Sequence, residues 1–248
     1  MEPPIFFASL ENIQGDQIRL PAAESHHACD VLRLRSGALV IVVDGLGTAY
    51  RGELRIESKK SSFVNVHAQI RNFGEPNCRL TLTAGLSAGF RFDEVVDKGT
   101  QIGVSRFVPL VTEKSKVKAE DAHRIALKTA RLEKVALAAM KQCRRSFRPE
   151  VVAPIAIAEY LQQIDRDSFK LVFHPSNGAR SLADVLPPEL PKRCTLLVGP
   201  EAGFTSDEIN LACAKGFAVV SLGPRILRTE TSGPVVCALV MGHFGELR

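Results

Sequence analysis

The sequence predicts a small β-rich domain followed by an α/β domain with an open, mostly parallel sheet. Three observations support this expectation. Residues 38–43 form an apolar run that stops at the turn-type dipeptide Asp44-Gly45. Two alternating segments follow, at residues 50–56 and 63–70. Further along the chain, short apolar runs alternate with amphipathic segments, which is typical of strands connected by helices.

The boundary between the two domains is expected in a polar stretch. Residues 71–77 contain both Gly and Pro and have the composition of a linker. We therefore predict domains at residues 1–72 and 73–248. With a short helix at residues 24–32, the three strands of the first part suggest a small barrel.

The second part has a regular order of predicted elements. Thr205 and Glu208 have the spacing of a capping box, which predicts a helix start after a loop. A final apolar helix is expected at about residues 235–244, because Pro234 is tolerable only in a first helical turn. The remaining strands are predicted at residues 79–84, 106–111, 170–173, 195–198 and 218–222, and the remaining helices at 92–102 and 120–143.

The composition excludes several classes of protein. An apolar fraction of 45% and a charged fraction of 24% are those of an ordinary globular protein. No apolar run approaches the roughly 20 residues that span a bilayer, and the start of the chain does not resemble a secretory signal. The six cysteines and six histidines are dispersed, so we predict neither a metal site nor a disulfide framework. A cytoplasmic location is the default expectation.

The distribution of charge points to a polyanionic partner. The net charge is +5, and residues 1–74 hold eight basic and eight acidic residues, so the excess belongs to the rest of the chain. In the long helix and its tail, six cations fall within an arc of roughly 140° at about 100° per residue. A solvated helix face is the alternative, but acidic residues are scarce there, and a one-sided basic surface suits a phosphate backbone. These cations are Arg124, Lys128, Arg131, Lys134, Lys141 and Arg145.

Two segments near the C-terminus have the pattern of ligand-binding loops. Residues 196–204 and 222–231 each begin apolar, pass through Gly-Pro and continue into a charged sequence. Such loops at the carboxyl ends of parallel strands form a crevice. The Gly199–Gly203 sequence is neither a dinucleotide fingerprint nor a P-loop, and a tight turn from strand to helix is the alternative to a ligand-binding loop. Arg228 in the second loop suits developing negative charge, whereas Glu230 has the alternative explanation of helix-dipole stabilisation.

Taken in order, these motifs resemble one known family over nearly the whole chain, the 16S ribosomal RNA uracil-N3-methyltransferases of the SPOUT class. The N-terminal part resembles that family's PUA-like domain. The motifs that carry the resemblance are His26-His27, Val31-Leu-Arg33, Gly37, Asp44-Gly45, Lys98, Ile102-Gly-Val-Ser105, Pro109-Leu110, Glu113-Lys-Ser115, Gln142-Cys143, Arg145, Pro149, His174-Pro175, Gly199-Pro-Glu201, Gly203, Leu222-Gly223 and Ile226-Leu-Arg-Thr-Glu-Thr231.

The resemblance implies a fold and a cofactor that the patterns alone do not give. It implies a trefoil knot in the C-terminal domain, a homodimer and a pocket for S-adenosylmethionine. The cofactor-binding residues that it implies are His174, Gly199, Pro200, Glu201, Gly203, Leu222, Gly223, Ile226, Leu227 and Arg228.

The activity implied is methylation of N3 of a uridine in the decoding region of 16S rRNA, as naked rRNA or in the small subunit. Arg228 and Glu230 are the expected catalytic residues, with Glu230 orienting Arg228 or accepting the N3 proton. Methylation elsewhere, including ribose 2′-O, and a non-catalytic assembly factor are the alternatives. The expected RNA contacts are Arg33, Arg35, Lys98, Lys114, Arg124, Lys128, Arg131, Lys141, Arg144 and Arg145.

This chain departs from the family's usual residues at several positions that the resemblance places toward the RNA or the dimer partner. These departures bear on the choice of target more than on cofactor binding. They are Pro4, Gln101, Lys141 and Arg144.

Overall fold

A computed structural model of the protein describes residues 2–86, 91–115, 122–175 and 179–247. The chain divides into two compact units. The first comprises Met1–Glu75 and Leu137–Arg148, and the second comprises Pro76–Ala136 and Pro149–Arg248. Residues 120 and 121 of the predicted long helix lie outside the described residues.

The first unit is built on one six-stranded sheet. Its order is β1-β4-β5-β6-β3-β2, with β1 and β4 parallel and the other neighbours antiparallel. Side chains alternate between the two faces of a strand, so the alternating apolar residues of the sequence lie on one face. Val42, Leu54 and Val64 pack there with Phe6 and Ile18 in one buried core. The strands are β1 (Ile5–Phe7), β2 (Ile13–Gln14), β3 (Gln17–Arg19), β4 (Leu39–Val43), β5 (Thr48–Ser58) and β6 (Ser61–Arg71).

The short helix of this unit is interrupted where the sequence predicts continuity. Helix α1 (Ala22–His26) ends after five residues, and His27–Val31 continue as a π-helical turn. Arg33 follows with a positive φ of 51°, so the chain leaves the helical region. The predicted helix at residues 24–32 is therefore partly correct.

The second unit contains the predicted parallel sheet. Its order is β10-β8-β7-β12-β11-β13, with β9 pairing with β8. Every neighbouring pair is parallel. The strands are β7 (Arg79–Gly85), β8 (Val104–Val111), β9 (Glu150–Val151), β10 (Ile155–Ala156), β11 (Phe169–Phe173), β12 (Arg193–Val198) and β13 (Ala218–Val220).

Helices cover both faces of this sheet. Consecutive residues of β12 point to opposite faces of the sheet. Leu196 packs in a hydrophobic cluster with residues of α2 and α6, and Leu197 packs in another with residues of α4 and α5. Burial on both faces explains why these strands are continuous apolar runs. The helices are α2 (Arg91–Ile102), α3 (Ala122–Gln142), α4 (Ile157–Gln162), α5 (Ser206–Ala214) and α6 (Thr229–His243).

Two helix starts test the sequence prediction directly. The capping box is confirmed, because the Thr205 hydroxyl accepts from the Glu208 N–H and the Glu208 carboxylate accepts from the Thr205 N–H. The predicted start of the last helix is wrong, because α6 begins at Thr229 and Pro234 lies in its second turn. Pro234 has no N–H to donate to the preceding turn, yet it is buried with Gly233, and packing holds the helix there.

The last residues of α3 belong to the first unit. Met140 and Leu137 pack with Ile41 and Val43 of β4. The earlier part of α3 contributes Leu132 to the core of the second unit. The domain boundary between residues 72 and 73 stays a prediction.

Candidate functional site

A cavity of about 270 Å³ opens where β11, β12 and β13 end. The sheet order puts β12 between β7 and β11, so the direction of strand addition reverses beside β12. Ligands of open α/β sheets bind at such a switch point, outside the carboxyl ends of the strands. The lining residues are Lys114, Phe173, His174, Pro175, Val198, Gly199, Pro200, Glu201, Ala202, Gly203, Phe204, Ser221, Leu222, Gly223, Arg225, Ile226, Leu227 and Ser232.

The loop after β12 is shaped by close backbone approach. A Cβ atom on Gly85, the last residue of β7, would lie 2.3 Å from the backbone nitrogen of Pro200. Only glycine therefore lets this loop cross the end of β7. The turn closes when the Gly203 N–H donates to the Pro200 carbonyl at 2.8 Å, with Gly203 at a φ of 70°.

The loop after β8 is joined to the loop after β12 by two polar contacts. The Glu113 N–H donates to Oε1 of the buried Glu208 at 2.9 Å. The Lys114 ammonium donates to the Phe204 carbonyl at 3.1 Å. Glu208 thus caps α5 and also anchors the segment that carries Lys114 into the cavity wall.

His174 directly follows β11, and its backbone N–H donates to the Val220 carbonyl at 3.0 Å. Burial lowers the pKa of the His174 imidazole, and the nearby Lys114 ammonium lowers it further. At neutral pH the ring is therefore uncharged. It offers the cavity one N–H donor and one ring-nitrogen acceptor.

A second cavity of about 320 Å³ adjoins the first. Glu201, Ile226 and Leu227 line both cavities, and Arg228 lines the second. The Arg228 side chain is 75% exposed and lies 4.0 Å from the Glu230 carboxylate, whose side chain is 14% exposed. Arg228 immediately precedes α6, and Glu230 lies in its first turn. The Ile226 side chain is 87% exposed, the most exposed of the large apolar residues that the structure describes.

The structure brings together nearly all of the residues expected at the cofactor. Nine of the ten line the first cavity, and Arg228 is in the wall of the second. Lys114, expected at RNA, also lines the first cavity. The sequence prediction omitted Phe173, Val198, Phe204 and Ser221, although each adjoins a predicted loop residue.

The expected RNA contacts are much less uniform. Arg145 is a correction, since it lies beyond the end of α3, is buried, and forms two hydrogen bonds with the Glu75 carboxylate at 2.7 and 3.1 Å. A buried guanidinium held this way is not available to a phosphate. The other cations with an ion pair are Lys98 with Glu94, Arg131 with Asp93, Lys141 with Glu24 and Arg144 with Glu2. Among the expected contacts, Arg33, Arg35, Arg124 and Lys128 have exposed side chains.

Within residues 2–86, 91–115, 122–175 and 179–247, no group of three or more His, Cys, Asp or Glu side chains is arranged to hold a metal ion. None of the helices described is long and apolar enough to cross a membrane.

Comparison with known proteins accounts for both units. Residues 74–241 match the RNA methyltransferase domain family, and residues 20–66 match the RNA methyltransferase PUA domain family. A ribosomal RNA small subunit methyltransferase E from Synechocystis sp. is 31% identical over 93% of this chain and 74% of its own length. The protein of the same name from Bacillus subtilis is 30% identical over 90% of this chain and 89% of its own length.

The fold also matches a solved structure. The ribosomal RNA small subunit methyltransferase E from Neisseria gonorrhoeae, bound to S-adenosyl methionine, superposes with a TM-score of 0.88 at 29% identity, and the match covers 100% of both chains. The first unit is a PUA-like half-barrel sheet, and the second is a parallel α/β methyltransferase domain. The chain therefore belongs to the ribosomal RNA small subunit methyltransferase E family.

Proposed function

We propose that this protein methylates N3 of a uridine in 16S ribosomal RNA, in the decoding region of the small subunit, with S-adenosylmethionine as methyl donor. The observation that carries the proposal is the convergence of three strand-end loops on one cavity that adjoins a second cavity containing Arg228. Relatives that are 31% and 30% identical to this chain, over 93% and 90% of its length, are named as small-subunit rRNA methyltransferases.

The first cavity fits the chemistry of S-adenosylmethionine. Apolar side chains such as Phe173 and Leu222 suit the faces of an adenine, and the backbone of the glycine-rich loops offers polar groups to its edge. At Gly203 and Gly223, open space surrounds the position of a Cβ atom, so a ligand meets backbone directly. The solved Neisseria relative carries this cofactor. When bound, it supplies an electrophilic methyl group on a sulfonium.

The residues of the chain then have distinct tasks. His174, Gly199, Pro200, Glu201, Gly203, Leu222, Gly223, Ile226 and Leu227 hold the cofactor and exclude water from it. Arg228 faces the base, where its guanidinium stabilises negative charge on a uracil oxygen as N3 loses its proton. Glu230, 4.0 Å from Arg228, orients that guanidinium.

The proposal also covers domain organisation, oligomeric state and location. We expect a trefoil knot in the second domain and a domain boundary between residues 72 and 73. We also expect the protein to form a homodimer and to be cytoplasmic. Arg33, Arg35, Arg124 and Lys128 are the exposed cations proposed to contact the RNA backbone.

The test is nucleoside mass spectrometry of 16S rRNA from cells with and without the gene. We expect 3-methyluridine to be present with the gene and lost without it. Loss of a 2′-O-methylated nucleoside instead would identify the ribose alternative. An unchanged nucleoside profile, together with an assembly defect, would identify the non-catalytic alternative.

A further inference from the structure

The wall between the two cavities contains one acidic residue. Glu201 is exposed in the turn that the Gly203 N–H closes on Pro200. It lines both the cavity proposed for the cofactor and the cavity that contains Arg228. Among the described residues that line either cavity, Glu201 alone has a carboxylate. It therefore lies where the two cavities adjoin.

The other candidate proton acceptors are placed differently. Glu230 lines neither cavity in the described part of the chain, and its side chain is mostly buried in the first turn of α6 beside Arg228. That position suits a carboxylate that orients the guanidinium and complements the positive end of the helix dipole. His174 is an uncharged acceptor at neutral pH, but it lines only the first cavity.

The chemistry of uracil matches the pair formed by Glu201 and Arg228. On its Watson–Crick edge, uracil presents the N3–H donor between two carbonyl acceptors. A carboxylate accepts from N3–H, and a guanidinium donates to an adjacent carbonyl oxygen. Both groups belong to the second cavity, and the exposed Ile226 supplies an apolar surface for the face of the base.

We propose that Glu201 is the group that accepts the N3 proton of the target uridine, in the cavity it shares with Ile226, Leu227 and Arg228. This assignment rests on the proposed function. N3 gives its proton to the Glu201 carboxylate, and the freed electron pair forms the bond to the methyl carbon. The electron pair of the breaking carbon–sulfur bond stays on sulfur. The products are 3-methyluridine and S-adenosylhomocysteine, and the proton passes from Glu201 to solvent.

The test compares Glu201→Gln with wild type, with Glu201→Asp as the conservative variant. Glu189→Gln removes the same charge from an exposed position outside both cavities and serves as the control. Activity is measured as 3-methyluridine formed in small-subunit RNA at saturating S-adenosylmethionine, from pH 6 to about pH 10. Affinity for S-adenosylmethionine alone is measured by calorimetry.

We expect Glu201→Gln to lower kcat about 10²–10⁴-fold at neutral pH, the usual contribution of a general base. Its kcat should then rise about tenfold per pH unit as solvent base removes the N3 proton. The Kd for S-adenosylmethionine should rise far less than kcat falls, since glutamine preserves the shape of the wall. Glu201→Asp should recover part of the activity, and Glu189→Gln should match wild type.

Two results would overturn the assignment while leaving the proposed function intact. One is a wild-type kcat and pH profile in Glu201→Gln. The other is a large increase in the Kd for S-adenosylmethionine with an unchanged kcat at saturation, which would make Glu201 a cofactor residue only. If wild-type protein forms no 3-methyluridine, the proposed function fails as well.

Discussion

The strand-end loops of the second unit and the basic helix α3 were predicted from equally clear sequence patterns, but they differ in outcome. The loops converge, since nine of the cofactor residues that the family resemblance implied, from three loops, line one cavity. The cations of α3 and its tail do not form one free face, because Arg131, Lys141 and Arg145 each pair with a carboxylate. Loops that follow parallel strands must meet at one edge of the sheet, whereas nothing in helical periodicity shows whether a cation has an acidic neighbour distant in sequence.

The largest expected effect concerns the buried pair of Arg145 and Glu75. The Arg145→Ala variant leaves the Glu75 carboxylate buried without its cation, so the free energy of unfolding should fall by about 3–5 kcal/mol. Denaturant unfolding of the full chain measures this. If Arg145→Ala is as stable as wild type, the pair with Glu75 is not structurally important, and Arg145 becomes a candidate RNA contact again.

Arg228 provides the matching test in the loops. The Arg228→Ala variant should lose about 10²–10³-fold in kcat, as expected when one donor to developing negative charge is removed. Its affinity for S-adenosylmethionine, measured by calorimetry, should change little, because Arg228 lines the second cavity and not the first. Near-normal turnover would remove Arg228 from the mechanism.

A smaller effect is expected where a loop enters α5. The Thr205→Ala variant removes the hydroxyl that accepts from Glu208 and should lower stability by about 1 kcal/mol. The Glu208 carboxylate keeps its bond from the Glu113 N–H, so the loop that carries Lys114 should stay anchored. Thermal unfolding with and without S-adenosylmethionine checks both expectations. A strong loss of cofactor binding would show that the two halves of the capping box are not separable.

The smallest effect distinguishes free from paired cations on α3. Lys134 is exposed, whereas Arg131 pairs with Asp93. If Lys134 contacts a phosphate, the Lys134→Ala variant should weaken RNA binding a few-fold. The slope of the logarithm of the RNA-binding constant against the logarithm of the salt concentration should then become shallower by about one. The Arg131→Ala variant should change the slope less, because Asp93 already offsets its charge. Equal slopes for both variants would contradict the distinction.

Residues that follow local rules were predictable from the sequence. The capping box of Thr205 and Glu208 needs only neighbouring groups, and it was predicted correctly. The start of α6 was predicted too late, because Pro234 marks a helix start by local rules and only tertiary packing allows it in a second turn. Strand β1 was not predicted, since its three residues pair in parallel with Ile41–Val43, far along the chain.

The departures from the family pattern also show that sequence patterns do not reveal partners that are distant along the chain. Lys141 and Arg144, expected to bear on RNA choice, pair with Glu24 and Glu2 within the first unit. Gln101 donates to Asp97 one helical turn earlier at 3.0 Å. Glu24 and Glu2 are more than 100 residues from Lys141 and Arg144 in the sequence, so no spacing rule selects them, whereas the Gln101–Asp97 pair has the i, i+4 spacing of neighbours on a helix. The knot, the dimer and the roles of the individual site residues remain predictions.

The central claim is that the converging loops form a binding site for S-adenosylmethionine. Calorimetric titration of the full chain with this cofactor tests it most directly. We predict saturable binding of about one molecule per chain, retained in Arg228→Ala and in Glu189→Gln. A titration without binding heat, in which millimolar cofactor also fails to raise the unfolding temperature, would contradict the claim.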